Sequence, residues 1–124
     1  MASPSVLIVD DVPEIVEELT QMLMILDIPA VGAASIEAAL AQLAAHESLR
    51  VVVTDVNLHH ENGHQLVEQV NASASLSRRA LRYLFITGDP DSMACETASP
   101  NRSMLIKPVN PRILISCIRT SLDG

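Results

Sequence analysis

The run Val6-Leu7-Ile8-Val9 ends in two adjacent aspartates, Asp10-Asp11, and the same construction recurs three times further along the chain. Asp55 follows Val51-Val52-Val53-Thr54, Thr87 closes Tyr83-Leu84-Phe85-Ile86, and Lys107-Pro108 closes Met104-Leu105-Ile106. Each run is short, β-prone and almost continuously apolar, which suits strands buried on both faces of a parallel sheet. In such a sheet the strand C-termini converge on one edge, where these folds place their ligands. Three carboxylates, a hydroxyl and an ammonium at that edge make a site for a metal ion and a phosphoryl group.

A fifth run lies at 29–33, so the strand candidates are 6–10, 29–33, 51–54, 83–86 and 104–106, with helical stretches between them. In the first helix Ile15, Leu19, Met22, Leu23 and Leu26 recur at helical spacing. Glu14, Glu17 and Glu18 fall mostly on other faces, and Pro13 is tolerated in a first turn. The second helix, 35–46, opens on a Ser N-cap signal and has an Ala/Leu-rich body, and the third follows Gly63. Asp89-Pro90 and Asn110-Pro111 are cap-then-proline starts for the fourth and fifth. Five βα units of about 25 residues each account for the whole chain, 1–124, as a single α/β domain with no linker or repeat. The weakest stretch is 89–103, where the helical pattern is short and Ala98-Ser99-Pro100-Asn101 reads as a turn. It is expected to be the most mobile segment.

Composition narrows the classes of function. With 48% apolar and 19% charged residues in 124, the chain can build a real core. Tyr83 and Phe85 are its only Tyr and Phe, so that core is built from Ala, Leu, Ile, Val and Met. A net charge of −7 argues against a nucleic-acid surface, and Arg78-Arg79, the only basic pair, reads as a solvated loop. Cys95 and Cys117 have no metal spacing and no disulfide framework, as expected of reduced thiols. No run reaches the roughly 20 apolar residues that span a bilayer, and Met1-Ala2-Ser3-Pro4 lacks the features of a signal peptide. The expectation is a cytoplasmic protein with no membrane or nucleic-acid partner.

A phosphoryl group needs an in-line nucleophile, a divalent cation and a fixed positive charge. Mg²⁺ prefers a few carboxylates and keeps several waters, an environment that Asp10, Asp11 and Asp55 supply. One carboxylate can also act as nucleophile. Lys107 meets a phosphate oxygen as a point charge, and Thr87 donates a hydroxyl hydrogen bond to another.

These residues, in this order and spacing, resemble the receiver domain of two-component response regulators, over essentially the whole chain. Val6-Leu7-Ile8-Val9-Asp10-Asp11 is similar to that family's acidic pair after the first strand. Asp55-Val56-Asn57-Leu58, with Gly63 eight residues past Asp55, is similar to its phosphoacceptor loop. Thr87-Gly88 and Lys107-Pro108 resemble its switch hydroxyl and its lysine with a cis peptide bond. The resemblance implies a flavodoxin-like, doubly wound five-stranded parallel sheet of order 2-1-3-4-5. It implies that Asp55 accepts phosphate from a sensor histidine kinase or a histidine phosphotransfer protein. Asp11, Asp55 and the backbone carbonyl of Asn57 would bind Mg²⁺ directly, and Asp10 largely through water. No catalysis is implied beyond autodephosphorylation, tuned in this family at the positions of Asn57 and Asp89. Two departures stand out: Met104 occupies the place of the switch aromatic, and His59 that of a frequent proline. A flexible thioether cannot repeat the two-position swing of a ring.

Other readings compete. The chain is read without an output domain, yet it also fits a receiver cut from a hybrid histidine kinase or longer regulator. A receiver-like scaffold regulated by protein contact alone is a further alternative, against which Asp55 and Lys107 count. A haloacid-dehalogenase-type phosphatase needs Asp-x-Asp after the first strand, and Asp10-Asp11-Val12 lacks that spacing. His59, His60 and His64 suggest a transition-metal cluster, but a surface loop explains them as well. Met24 and Ile25 cannot share the buried face with Leu19 and Leu23, which leaves apolar surface exposed. The last helix, with Ile113-Leu114-Ile115 and Cys117-Ile118, is apolar nearly all round and is expected to be well buried, in a monomer or weak homodimer.

Overall fold

The computed structural model describes residues 3–58, 61–88, 102–106 and 110–123. Its elements run β1 (Val6–Val9), α1 (Pro13–Ile25), β2 (Ala30–Ala33), α2 (Ile36–Ala45), β3 (Val51–Asp55), β4 (Asn57–Leu58), β5 (Glu61–Asn62), α3 (Gly63–Ala72), β6 (Arg82–Thr87), β7 (Arg102–Ile106) and α4 (Pro111–Asp123). Five strands form one parallel sheet in the order β2-β1-β3-β6-β7, the expected 2-1-3-4-5 arrangement. β1 and β3 are buried along their full length, since each is paired on both sides and covered on both faces.

The pleat sorts the apolar residues into two cores. Leu7, Val9, Val52, Tyr83 and Phe85 point to one face and pack with Ile36 and Leu43 of α2 and Leu66 and Val70 of α3. Val6, Ile8, Val51, Val53 and Leu84 point to the other and pack with Leu23 of α1 and Leu114 and Ile118 of α4. Continuous hydrophobic runs are therefore required, because both faces of each central strand are interior.

Helix boundaries follow local chemistry. The Ser35 hydroxyl accepts the Ala38 N–H at 3.1 Å to open α2. Asn62 Oδ1 accepts the His64 N–H at 2.8 Å while Gln65 Oε1 accepts the Asn62 N–H at 3.1 Å, a reciprocal cap for α3. Asn110 Oδ1 accepts the Arg112 N–H at 2.9 Å before Pro111. α1 ends at Ile25, and just past its cap Asp27, with a φ of 62°, turns the chain so that the Ile28 N–H reaches the Leu23 carbonyl at 2.8 Å.

Several expectations need correction. In α1, Val16 rather than Ile15 joins Leu19, Leu23 and Leu26 against the sheet, and Ile15 is 40% exposed. Gly32 is the reason: a Cβ there would collide with Val16 Cγ1, so the bare glycine lets the helix settle at Val16. Arg79 is no solvated loop residue. Its guanidinium donates to the carbonyls of Leu43, His46 (3.0 Å) and Leu49 (2.8 Å), closing the C-terminal end of α2. The last helix, α4, is only half buried, with Leu114 and Ile118 inside and Ile113 53% exposed. A short antiparallel pair, β4–β5, was not expected; it joins Asn57 to Asn62 and Leu58 to Glu61 just past β3. The fourth helix expected at Asp89-Pro90 lies outside the described residues, as does Cys95. No described helix is long and apolar enough to cross a membrane.

Candidate functional site

β1 and β3 run side by side with Val9 opposite Thr54, so Asp10 and Asp55 leave the sheet at the same level on adjacent central strands. On the other side of β3, Asp55 lies opposite Ile86, which places Thr87 one step beyond. The parallel register thus converges Asp10, Asp11, Asp55 and Thr87 on one edge. Asp10 is 8% and Asp55 6% exposed, and Thr87 is fully buried. Asp10 still belongs to the ladder, because its N–H donates to the Ala33 carbonyl at 3.1 Å. Its Oδ1 accepts the Val12 N–H at 2.9 Å, a short turn that feeds α1 and fixes the carboxylate.

Burial pushes the Asp10 carboxyl above its ordinary pKa. The Val12 N–H opposes that rise, and repulsion from Asp55 and from Asp11 adds to it. The carboxylates therefore feel one another, which is the electrostatic condition a divalent cation relieves. Among the described residues, no group of three His, Cys, Asp or Glu side chains forms a ready-made metal cage. The donor set nevertheless fits Mg²⁺, which takes one or two carboxylates and keeps waters for the rest of its shell.

The loop after Asp55 is held from below. Val56 N–H donates to the Ile86 carbonyl at 2.9 Å, and Gly63 N–H donates to the Val56 carbonyl at 2.8 Å. Gly63 then passes so close that a Cβ on it would stand 2.5 Å from the Asp55 carbonyl oxygen and 3.2 Å from Thr54 Oγ1. Thr54, fully buried, donates its hydroxyl to the Asp55 carbonyl at 3.1 Å. Sequence reasoning passed over Thr54, although it is the one polar residue in Val51-Val52-Val53-Thr54, and that polarity was the available signal. The backbone of Asn57 lies in β4, directly after this support. Lys107, Asp89, His59 and His60 lie outside the described residues. His64 packs its ring against Phe85 at a centroid distance of 4.6 Å, tilted by 52°, so its described environment is an aromatic contact in the core.

A family model for the response regulator receiver domain matches residues 6–119. The chain belongs to that family. Solved structures agree in fold. Chemotaxis protein CheY4 of Vibrio cholerae is 24% identical with a TM-score of 0.81, covering 97% of this chain and 99% of that one. A response regulator receiver protein from Pseudomonas putida is 28% identical with a TM-score of 0.78, covering 97% and 98%. The signal receiver domain of an HD domain-containing protein from Pseudomonas fluorescens Pf-5 is 25% identical with a TM-score of 0.78, covering 98% and 96%. No curated protein matches the chain at a significant level.

Proposed function

We propose that this receiver accepts a phosphoryl group on Asp55 from a phosphohistidine of a sensor histidine kinase or histidine phosphotransfer protein, with Mg²⁺ bound at Asp11, Asp55 and the Asn57 carbonyl. The observation that carries this reading is the placement of Asp55 at the end of a central strand, level with Asp10 and beside Thr87. An Asp55 carboxylate oxygen attacks phosphorus, the P–N bond to the donor imidazole breaks, and an acyl phosphate forms. Mg²⁺ supplies charge neutralisation for the phosphoryl oxygens. Thr87 donates its hydroxyl to one of those oxygens, and Lys107 offers its ammonium to another. Asp10 helps to hold the cation through water and excludes a second anion until the cation is in place. Water later attacks phosphorus, releasing phosphate and regenerating the carboxylate; Asn57 and Asp89, both small and polar, favour a short phosphoryl lifetime.

Mass spectrometry after treatment with acetyl phosphate and Mg²⁺ tests the assignment. One phosphoryl adduct is expected, lost in Asp55→Asn and on removal of Mg²⁺. An adduct yield unchanged by Asp55→Asn overturns it, and no adduct on the native protein favours a scaffold regulated by contact alone.

A further inference from the structure

We infer that Thr54 is a positioning residue for the phosphoacceptor: its hydroxyl holds the peptide unit that follows Asp55, and through it the direction in which the Asp55 carboxylate meets an incoming phosphoryl group. The inference rests on the phosphorylation reading and deepens it. Thr54 ends the run Val51-Val52-Val53 and is fully buried. A hydroxyl taken out of water is costly unless it is hydrogen-bonded, whereas valine has nearly the same shape and none of that cost. Packing alone therefore does not call for threonine here.

The hydrogen bond has a particular target. Thr54 Oγ1 donates to the Asp55 carbonyl at 3.1 Å, and the N–H of that same peptide unit, carried by Val56, donates to the Ile86 carbonyl at 2.9 Å. The peptide unit is held at both poles, by a side chain of β3 at one and by β6 at the other. A peptide is planar, so fixing its plane fixes ψ of Asp55 and φ of Val56 together. Beyond it the Gly63 N–H donates to the Val56 carbonyl at 2.8 Å, and Asn57 opens β4. The clamp thus sets how the chain runs from Asp55 to Asn57. Thr54 shares a face of β3 with Val52, which packs in the core under α2 and α3. On that face Gly63 comes so near that a Cβ on it would stand 3.2 Å from Thr54 Oγ1, which leaves the side chain little room to turn away. Thr54 acts only through the backbone of Asp55, and that is enough to matter, because a displacement of about 1 Å in a reacting group can slow a reaction about 100-fold.

Rates of adduct formation with acetyl phosphate and Mg²⁺, read by mass spectrometry, test the inference in two pairs that differ by the hydroxyl alone. Native against Thr54→Val removes it at constant shape. Thr54→Ser against Thr54→Ala removes it where the methyl is already gone, and this pair decides if Thr54→Val does not fold. Thermal melts establish that each protein is folded at the assay temperature. The rate is expected to fall about 10-fold in Thr54→Val and by a similar factor between Thr54→Ser and Thr54→Ala. Thr54→Ser is expected to stay within about 2-fold of native, although it has lost a buried methyl and melts lower. With Asp55→Asn still abolishing the adduct, a native rate in Thr54→Val or equal rates in the Ser and Ala variants overturn the positioning role alone. Rates that follow Tm across the four proteins assign Thr54 to packing and overturn it as well. An adduct that survives Asp55→Asn, or none on the native chain, overturns the phosphorylation reading and this inference with it.

Discussion

Burial and the neighbouring carboxylates of Asp55 and Asp11 raise the pKa of Asp10, so the folded chain holds a proton there more tightly than the unfolded chain does. By linkage, the stability this group contributes is fully present below the unfolded carboxylate pKa of about 3.9 and is lost as pH rises through the higher folded value. At neutral pH the ionised group therefore opposes folding. Asp10→Asn removes the charge while its side-chain oxygen still accepts the Val12 N–H. The expected outcome is a Tm about 2–5 °C higher in the metal-free protein at neutral pH, with a flatter pH dependence in thermal melts between the carboxylate range and neutrality. A lower Tm would show that the ionised carboxylate is not strained. Gly63 is the opposite case. A Cβ there meets the Asp55 carbonyl oxygen at 2.5 Å, backbone that cannot swing aside. Gly63→Ala is expected to cost about 1–3 kcal/mol in urea melts and to lower the yield of the Asp55 adduct. Gly88→Ala, which meets no described atom within 4 Å, serves as the control.

At the scale of elements, α2 shows how a helix end is closed from a distance. Three carbonyls at and beyond its C-terminus, those of Leu43, His46 and Leu49, receive one guanidinium that enters from Arg79, just before β6. Hydrogen bonds to a charged donor are stronger than neutral ones, and a cation at a helix C-terminus also complements its dipole. Arg79→Ala is expected to destabilise the fold by about 2–3 kcal/mol. Arg79→Lys should recover only part of that, since an ammonium lacks the planar fork that reaches several carbonyls. Equilibrium unfolding of both variants measures this, and a loss equal to that of Arg78→Ala, an exposed neighbour, would reject the cap. The contrast explains what was legible beforehand. Val6-Leu7-Ile8-Val9 and Val51-Val52-Val53 betray a buried parallel sheet because burial on both faces is a local pattern in sequence. Ser35, Asn110 and Pro111 betray helix starts because capping acts within three or four residues. Arg79 depends on a contact with residues some 30 positions away, and nothing in its immediate neighbours separates it from the exposed Arg78. Ile15 and Val16 follow the same rule: which of two adjacent apolar residues faces inward is settled by Gly32 on another element.

For the whole molecule, the convergence of Asp10, Asp55 and Thr87 was legible because parallel topology turns sequence order into spatial proximity. Asp10, Asp55 and Thr87 are distant in sequence, yet each stands at the C-terminal end of a strand of the same sheet, and register brings Asp10 level with Asp55 and Thr87 one step beyond it. What sequence could not show is how that edge is supported, since Thr54, Gly63 and the β4–β5 pair act through backbone approach rather than through a motif. Mg²⁺ binding proposed at the same edge would couple to global stability. A cation held only by the folded form raises stability by mass action, by about 1.4 kcal/mol when its concentration is ten times its dissociation constant. At the proposed Mg²⁺ site, relief of the repulsion that Asp10 feels from Asp55 and Asp11 would supply part of that binding energy. Mg²⁺ is therefore expected to raise the Tm by a few degrees, roughly 3–6 °C for a domain of this size. Asp11→Ala, which takes away a ligand but not the buried Asp10, should lose most of the shift while folding normally without metal. Asp10→Asn should start from a higher metal-free Tm and gain less. Calorimetric scans of the three proteins with and without Mg²⁺ give the comparison. A full shift retained in Asp11→Ala would place the cation away from the edge that β1 and β3 define.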